Sequence, residues 1–441
     1  MLGVMSRRQP RSETDRLAKA YLAAAVADVA FTANAYRPLS RKGALSGLAF
    51  APGVIGSEFP LQIDAAKAAF AGGALAIGLA RRPAGKLALA LSAATGVAMV
   101  GLHREAARSS EILEAALVEA LGDDYRKGIA ELMAEDDATP LTRRQLSFPS
   151  TFRADRKKFV SATDVAYGEF GWRNTLDIWK QPDLPAGSRA PVLLQVHGGA
   201  WTIGQKAQQA SPLLARMTGH GWVCVDINYR LSPKATWPDQ IVDVKRAIAW
   251  VKEHIAEHGG DPGFVVITGG SAGGHLSSLA ALTPNEAGFQ PGFEDMDTTL
   301  QGAVPMYGVY DWTNRDKTGR SDMEKFLADK VLKSDFKTDR ERWEQASSMS
   351  WVNPDAPPFF AIHGSNDSLV PIEQARSFVA MLRAVSNQPV AFAELPHAQH
   401  AFDFAGTVRT VHTIRAIERF LAAIRVRDRR GADDPVAQPV S

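Results

Sequence analysis

A serine enclosed by glycines carries the clearest chemical signal in this sequence. Ser271 lies in ITGGSAGGH, residues 267–275, directly after the apolar run FVVIT. The pattern is G-x-S-x-G, in which a strand turns sharply into a helix and exposes the hydroxyl. A serine in that turn has a strained backbone, so its neighbours two positions away must lack side chains. A flexible loop is the plainer alternative. The strand before the motif and the helical run after it favour the turn, and they predict a nucleophile at Ser271.

A serine hydroxyl is a weak nucleophile alone, so it needs a base and a group that orients the base. In this kind of turn the acid follows the serine along the chain, and the histidine follows the acid. Asp367 comes after the strand-like run 358–364, and His400 comes after the run 390–395. We expect His400 to take the proton from Ser271, while Asp367 holds the imidazole.

Three other residues compete for these two roles. His397 is the rival base, only three residues before His400 in PHAQHAFDF. We favour His400 because it lies deeper in this loop, with the apolar side chain of Phe402 behind it. Asp355 and Asp403 are rivals for the acid, but neither follows a strand in the right place.

Acyl transfer also needs N–H groups that stabilise a developing oxyanion. The motif HGGAW, residues 197–201, follows a strand and is of the glycine-rich type that turns backbone N–H groups towards the reacting carbonyl. The predicted oxyanion-hole residues are Gly198, which permits the turn, and Gly199, Ala200 and Ala272, which donate. Trp201 either forms a wall of the substrate pocket or simply packs.

The elements that must position these residues follow from the pattern after residue 160. Short apolar runs alternate there with helical runs, which is typical of a mostly parallel sheet covered by helices on both faces. Ligands bind such sheets at the carboxyl ends of the strands. We therefore predict an α/β catalytic domain over residues 158–427. Residues 111–157 are read as helices and a linker, and the polar tail 428–441 as disordered.

The first 110 residues are alanine-rich and predict a helical region. Their first 19 residues are polar and show no signal peptide. Two uncharged runs, Ala68–Ala80 and Leu87–Leu102, span roughly 20 and 24 Å as helices, less than the ~30 Å hydrocarbon core of a bilayer. They form either a buried hairpin or a membrane-associated one. If the hairpin spans, the basic turn between the runs stays cytoplasmic and the rest of the protein lies outside.

Composition excludes several other classes of protein. The net charge of +2 gives no footprint for nucleic acid. The single cysteine, Cys224, excludes an intrachain disulfide and a cysteine-based zinc cluster. No histidine–carboxylate spacing is typical of a metal site, so we expect neither a metal nor a cofactor.

Five motifs together resemble the carboxylesterases of the α/β-hydrolase superfamily, in particular the hormone-sensitive-lipase-like and BD-FAE-like groups. They are HGGAW, NYRLSP, GGSAGGH, HGSNDSLVP and QHAFDF. The resemblance implies an α/β-hydrolase fold and hydrolysis of short- to medium-chain esters through an acyl-enzyme. Ala200 stands where the lipase-like group usually has a third glycine, which disfavours bulky tertiary-alcohol esters. The insertion at residues 311–345 is expected to cap the site.

The N-terminal region is similar to those of actinobacterial esterases associated with membrane or cell wall. This likeness implies a membrane or cell-envelope location, with the cytoplasm as the alternative. Two other functions stay open: an amidase or peptidase on the same fold, and a non-catalytic receptor or scaffold. No propeller-like region that would gate peptides is present, and receptors on this fold typically lose one of the catalytic residues.

Overall fold

An eight-stranded sheet covered by helices forms the C-terminal two thirds of the chain. The computed structural model describes residues 11–41, 43–130, 156–320 and 322–433. The strands, in chain order, are β1 Val160–Ala166, β2 Thr175–Trp179, β3 Ala190–Val196, β4 Val223–Ile227, β5 Gly260–Gly270, β6 Gly302–Met306, β7 Phe359–Gly364 and β8 Val390–Leu395.

The order across the sheet is β1-β2-β4-β3-β5-β6-β7-β8. β2 pairs antiparallel with both β1 and β4, and every pairing from β4 through β3 to β8 is parallel. The predicted fold class, a mostly parallel sheet flanked by helices and preceded by a helical region, is confirmed. The carboxyl ends of β3, β5, β6, β7 and β8 therefore meet at one edge of the sheet.

Helices cover both faces of this sheet and form the region before it. They are α1 Arg11–Tyr36, α2 Gly43–Glu58, α3 Pro60–Ala76, α4 Pro83–Leu121, α5 Tyr125–Ile129, α6 Arg156–Phe159, α7 Ser211–Gly219, α8 Asp239–His254, α9 Ala272–Leu282, α10 Met323–Phe326, α11 Arg340–Ala346, α12 Ile372–Val385 and α13 Val408–Asp433.

Alternation along the central strand divides the interior into two apolar cores. Successive side chains of a strand point to opposite faces of its sheet. Val265 and Ile267 of β5 therefore join the core under α8, α9 and α12, while Phe264 and Val266 join the core under α4, α7 and α13. Because both faces are buried, these strands read as continuous apolar runs in the sequence.

The long helix α4 belongs to both parts of the molecule. Its first half packs with α1 and α3, where Ala88 contacts a small cluster that contains Ala18 and Tyr21. Its second half carries Leu113 and Leu117 into the core between α7 and α13. The boundary predicted at residue 110 falls inside this helix, because its buried face continues through Ala106, Ser109 and Leu113.

The two uncharged runs form the predicted helical hairpin, α3 and α4, joined by a short turn at Leu79–Arg81. Residues 131–155, which include most of the predicted linker, lie outside the described residues. At the other end, α13 continues through Asp433, past residue 428 where the sequence predicted a disordered tail. Residues 434–441 lie outside the described residues.

Helix α2 packs against the catalytic domain through a fully buried ion pair. Glu58 Oε1 accepts a hydrogen bond of 2.6 Å from Arg409 Nη1, and neither side chain has any exposed surface. Thr407 Oγ1 donates to the other carboxylate oxygen at 2.8 Å. Since two buried charges depend on each other here, the contact fixes where the end of α2 lies against α13.

Removing one member of this pair leaves an uncompensated buried charge. We expect Arg409→Met to lower the free energy of unfolding by about 3–5 kcal/mol, measured by urea denaturation. The exposed Arg108→Met is the matched control and should cost at most about 1 kcal/mol. The double change Glu58→Met with Arg409→Met should recover much of the loss. Equal losses in Arg409→Met and Arg108→Met would contradict the assigned burial.

Candidate active site

The glycine-enclosed serine lies at the turn between β5 and α9. Ser271 has φ 59° and ψ −119°, a conformation that side chains rarely adopt. Its backbone N–H donates to the carbonyl of Met306, the last residue of β6, at 2.9 Å. The neighbouring strand thus holds the strained turn in place, and the serine lies at the carboxyl edge of the sheet.

The glycines on both sides are required by close approach between backbones. A Cβ atom on Gly273 would lie 2.1 Å from the carbonyl oxygen of Val196, at the end of β3. One on Gly269 would lie 2.6 Å from the same oxygen. One on Gly270 would lie 2.4 Å from the hydroxyl of Tyr307. The first turn of α9 can therefore pack directly on the end of β3 only because Gly269 and Gly273 have no side chains, while Gly270 leaves room for the Tyr307 side chain.

The predicted acid and base are joined to each other. His400 Nδ1 and Asp367 Oδ2 are 2.6 Å apart, and the two residues are only 5% and 1% exposed. His363 Nε2 lies 3.1 Å from the same carboxylate oxygen. The other oxygen accepts hydrogen bonds from the backbone N–H groups of Leu369 at 2.8 Å and Val370 at 2.7 Å.

These contacts settle which nitrogen of the imidazole is free. Burial would raise the pKa of the Asp367 carboxyl, but the charge of His400 and the hydrogen bonds from His363 and His400 bring it below its usual range. An ionised carboxylate can only accept hydrogen bonds, so Nδ1 of His400 must carry a proton. In the neutral imidazole, Nε2 is then left to act on a substrate or a nucleophile.

Tyr307 lies near both the elbow and the histidine. Its hydroxyl approaches Gly270, next to Ser271, and its ring centroid lies 4.8 Å from that of His400. Among the described residues, no hydrogen bond joins the Ser271 hydroxyl to His400. Catalytic hydrogen bonds of this kind are often long until substrate binds. The structure thus brings Ser271 and the Asp367–His400 pair to the same edge of the sheet, around one tyrosine.

The rival residues make other contacts. His397 Nδ1 lies 3.1 Å from the carbonyl oxygen of Tyr36 in α1, and its backbone N–H donates to Ser365. Asp403 accepts a short hydrogen bond from the Tyr307 hydroxyl. Burial raises the pKa of Asp403. Asp355 is exposed. None of the three contacts the Asp367–His400 pair through a hydrogen bond in the described chain.

The predicted oxyanion loop turns immediately above the serine. Gly199 has φ 121° and Ala200 has φ 50°, and the backbone N–H of Gly198 donates to the Gln209 side chain at 2.7 Å. A Cβ on Gly198 would lie 3.2 Å from the Cβ of Ser271, so the loop touches the elbow. Within the described residues, the N–H groups of Gly199, Ala200 and Ala272 have no hydrogen-bond acceptor.

Trp201 lies in a buried aromatic cluster. Its indole N–H donates to His275 Nδ1 at 3.1 Å, and its ring packs at 4.7 Å from that of Trp312. His275 Nε2 hydrogen-bonds the carbonyl of Ala346 at 2.7 Å, and burial lowers its pKa to about 3. His275 thus packs and hydrogen-bonds within this cluster. The placement of Trp201 in the substrate pocket stays a prediction.

Four residues near the site were not singled out from the sequence. Gln209 hydrogen-bonds the glycine loop, His363 contacts Asp367, Gln399 hydrogen-bonds the backbone of His400, and Tyr307 packs against the His400 ring. Only Tyr307 had a usable signal, since it directly follows a strand, as the other candidates do. The other three act through contacts that no local pattern reveals.

The sheet order, the elbow on β5 and the acid and histidine after β7 and β8 define an α/β-hydrolase. The family model of BD-FAE matches residues 176–382. A probable carboxylic ester hydrolase, LipM, from Mycobacterium tuberculosis is 46% identical over 93% of this chain and 95% of its own length. The chain therefore belongs to the α/β-hydrolase esterases and is a carboxylic ester hydrolase by class.

Two other comparisons agree with this placement. The esterase LipQ from Mycobacterium tuberculosis is 48% identical over 74% of this chain and 77% of its own length. The solved structure of a truncated carbohydrate esterase from gut microbiota superposes with a TM-score of 0.52 at 24% identity. The superposition covers 60% of this chain and 99% of the carbohydrate esterase chain. At 24% identity this similarity supports the fold alone.

The elbow geometry predicts a sharp difference between two helical glycines. We expect Gly273→Ala to lower the free energy of unfolding by about 1–3 kcal/mol, since its new methyl group meets the backbone of β3. Gly72→Ala in α3 meets no atom within 4 Å and should be neutral or stabilising. Urea denaturation measures both. Equal stability of the two variants would show that α9 does not sit on β3 as described.

Proposed function

We propose that this protein hydrolyses short- to medium-chain carboxylic esters through an acyl-enzyme on Ser271. The observation that carries the proposal is the buried pair of Asp367 and His400 at the sheet edge that also carries the serine elbow. The pair leaves Nε2 of the imidazole available as a base. Serine activated in this way is the established route to acyl transfer.

Each residue has one task in the proposed reaction. Ser271 Oγ attacks the ester carbonyl carbon while His400 Nε2 takes the hydroxyl proton. The carbonyl oxygen becomes an oxyanion near the unpartnered N–H groups of Gly199, Ala200 and Ala272. The C–O bond then breaks, and the proton passes from His400 to the departing alcohol. Water attacks the acyl-enzyme with the same base, which releases the acid and restores the serine.

The positive end of α9 supports the same chemistry. Ser271 immediately precedes this helix, whose first N–H groups and dipole favour negative charge. Lys245 secures the opposite end of α9, where its ammonium donates to the carbonyl oxygens of Ala280 and Thr283. Burial lowers the pKa of Lys245 to about 7. The helix is thus held at both ends, which keeps the nucleophile in place.

Hydrolysis of p-nitrophenyl esters from acetate to palmitate tests the assignment. We expect kcat to fall about ten-thousand-fold in Ser271→Ala, His400→Ala and Asp367→Asn, with the wild type favouring the shorter chains. His397→Ala is the matched control and should keep kcat near wild type, because His397 contacts α1. Loss of activity in His397→Ala but not in His400→Ala would show that His397, and not His400, is the base. If the protein hydrolyses anilides but none of the esters, the result would favour the amidase alternative.

We also propose that the N-terminal helices contact a membrane. Of the 18 large apolar side chains exposed in the described chain, 13 lie between Leu17 and Val97. Leu45 and Leu48 of α2 are 63% and 71% exposed. Among the described residues, one helix, α4, is long and apolar enough to cross a bilayer. An exposed apolar surface of this extent is typical of a contact with lipid or protein, and the resemblance favours lipid.

Flotation with phosphatidylcholine–phosphatidylglycerol vesicles tests this contact. We expect the wild type to float and the double variant Leu45→Glu/Leu48→Glu to float less, because burying carboxylates in lipid is costly. Val385→Glu, on an exposed apolar residue of the catalytic domain, should float like the wild type. Wild-type protein that stays at the bottom of the gradient would overturn the proposal.

A further inference from the structure

One side chain connects the loop of the acid with the loop of the base. Gln399 Oε1 accepts a hydrogen bond of 2.7 Å from the backbone N–H of Ser368 and another of 2.9 Å from that of His400. Ser368 directly follows Asp367. The amide oxygen therefore holds the two loops together from the backbone, in addition to the bond between the Asp367 and His400 side chains.

The orientation of this amide follows from its partners. Both partners are N–H donors, so only the oxygen of the amide can face them. Gln399 is 1% exposed, and its Nε2 has no hydrogen-bond partner among the described residues. A buried donor without a partner is costly. The acceptor role therefore accounts for a glutamine here, and the amide nitrogen must be held by packing alone.

That packing comes from α2. A Cβ on Gly53 would lie 2.9 Å from Gln399 Nε2, so the glycine leaves just enough room for the amide. Two further contacts join α2 to the same loops. Ser368 Oγ donates to the carbonyl oxygen of Ser46 at 3.1 Å, and the ring centroid of Phe50 lies 6.2 Å from that of His400.

We propose that Gln399 is a positioning residue for the Asp367–His400 pair, and that Gly53 of the N-terminal helix α2 keeps its amide in place. The proposal rests on the function proposed above. Its consequence is that a residue of the N-terminal region, which is more than 300 positions away in the sequence, belongs to the support of the catalytic pair.

The side-chain part is tested by two substitutions of similar length. Gln399→Met removes the acceptor, and we expect kcat for p-nitrophenyl butyrate to fall about a hundredfold with KM unchanged, because the base is misplaced. Gln399→Glu keeps an oxygen that accepts both N–H groups and should restore most of kcat. Circular dichroism and the thermal midpoint establish that both variants are folded. A folded Gln399→Met with kcat within twofold of wild type overturns the proposal, even if its midpoint is lower.

The contribution of α2 is tested by two glycines of that one helix. Gly53→Ala places a methyl group 2.9 Å from Gln399 Nε2 and 3.1 Å from Asn34 Nδ2, while Gly47→Ala meets no atom within 4 Å. We expect Gly53→Ala to lower kcat with KM unchanged and Gly47→Ala to match the wild type. Equal kcat in both variants overturns the role of α2. In the double variant Gly53→Ala/Gln399→Met, kcat should fall little further than in Gln399→Met alone, since both substitutions act through the same amide.

The failure of this proposal can be told apart from failure of the proposed function. If Ser271→Ala keeps wild-type activity, the acyl-enzyme proposal fails, and the role of Gln399 fails with it. If Ser271→Ala and His400→Ala are inactive while a folded Gln399→Met is unchanged, the function stands and only the positioning role is overturned.

Discussion

The approach of α9 to the end of β3 is the constraint on which the candidate site depends. Glycine at 269 and 273 lets the first turn of α9 pack against the carbonyl of Val196 at a distance that no Cβ would allow. In the same turn, Ser271 has a positive φ and lies at the carboxyl edge of the sheet. The packing of α9 also brings the elbow against the loop at Gly198, where the candidate oxyanion donors begin. One steric requirement thus positions the candidate nucleophile, the helix N-terminus that follows it and the candidate oxyanion donors beside it.

Parallel strands supply the rest of the arrangement. Each of β3, β5, β6, β7 and β8 ends at the same edge, and each is followed by a residue of the site or of its support. The residues come from distant parts of the sequence, yet they lie at one edge of the sheet because each one closely follows the end of a strand. Hydrogen bonds between loops fix the remaining positions. Gln209 accepts from the backbone of the glycine loop, and Gln399 joins the loop of Asp367 to the loop of His400.

The sequence predicted the parts of this arrangement that follow from local pattern. The elbow, the strands and the order of serine, acid and histidine are all visible in short motifs, and the fold class was confirmed. The role of Gln399 was not predicted, because it depends on a contact formed only when two loops meet. The role of His363 was not predicted either, although this residue lies only four positions before Asp367. The contact of α2 with the site was missed because Ser46 and Ser368 are 322 residues apart. The continuity of α4 was missed because a change of composition near residue 110 does not interrupt its buried face.

Helix α4 bears on how such a protein can be rearranged in evolution. Its 39 residues begin in the N-terminal bundle and end with Leu113 and Leu117 in the core of the catalytic domain. A cut before Pro83 separates α4 from α1, α2 and α3, and a cut after Leu121 removes Leu113 and Leu117 from the core under α13. The helical region is therefore not a detachable module that recombination could exchange at a linker. Related chains should gain or lose it only together with changes in the core that replace these leucines.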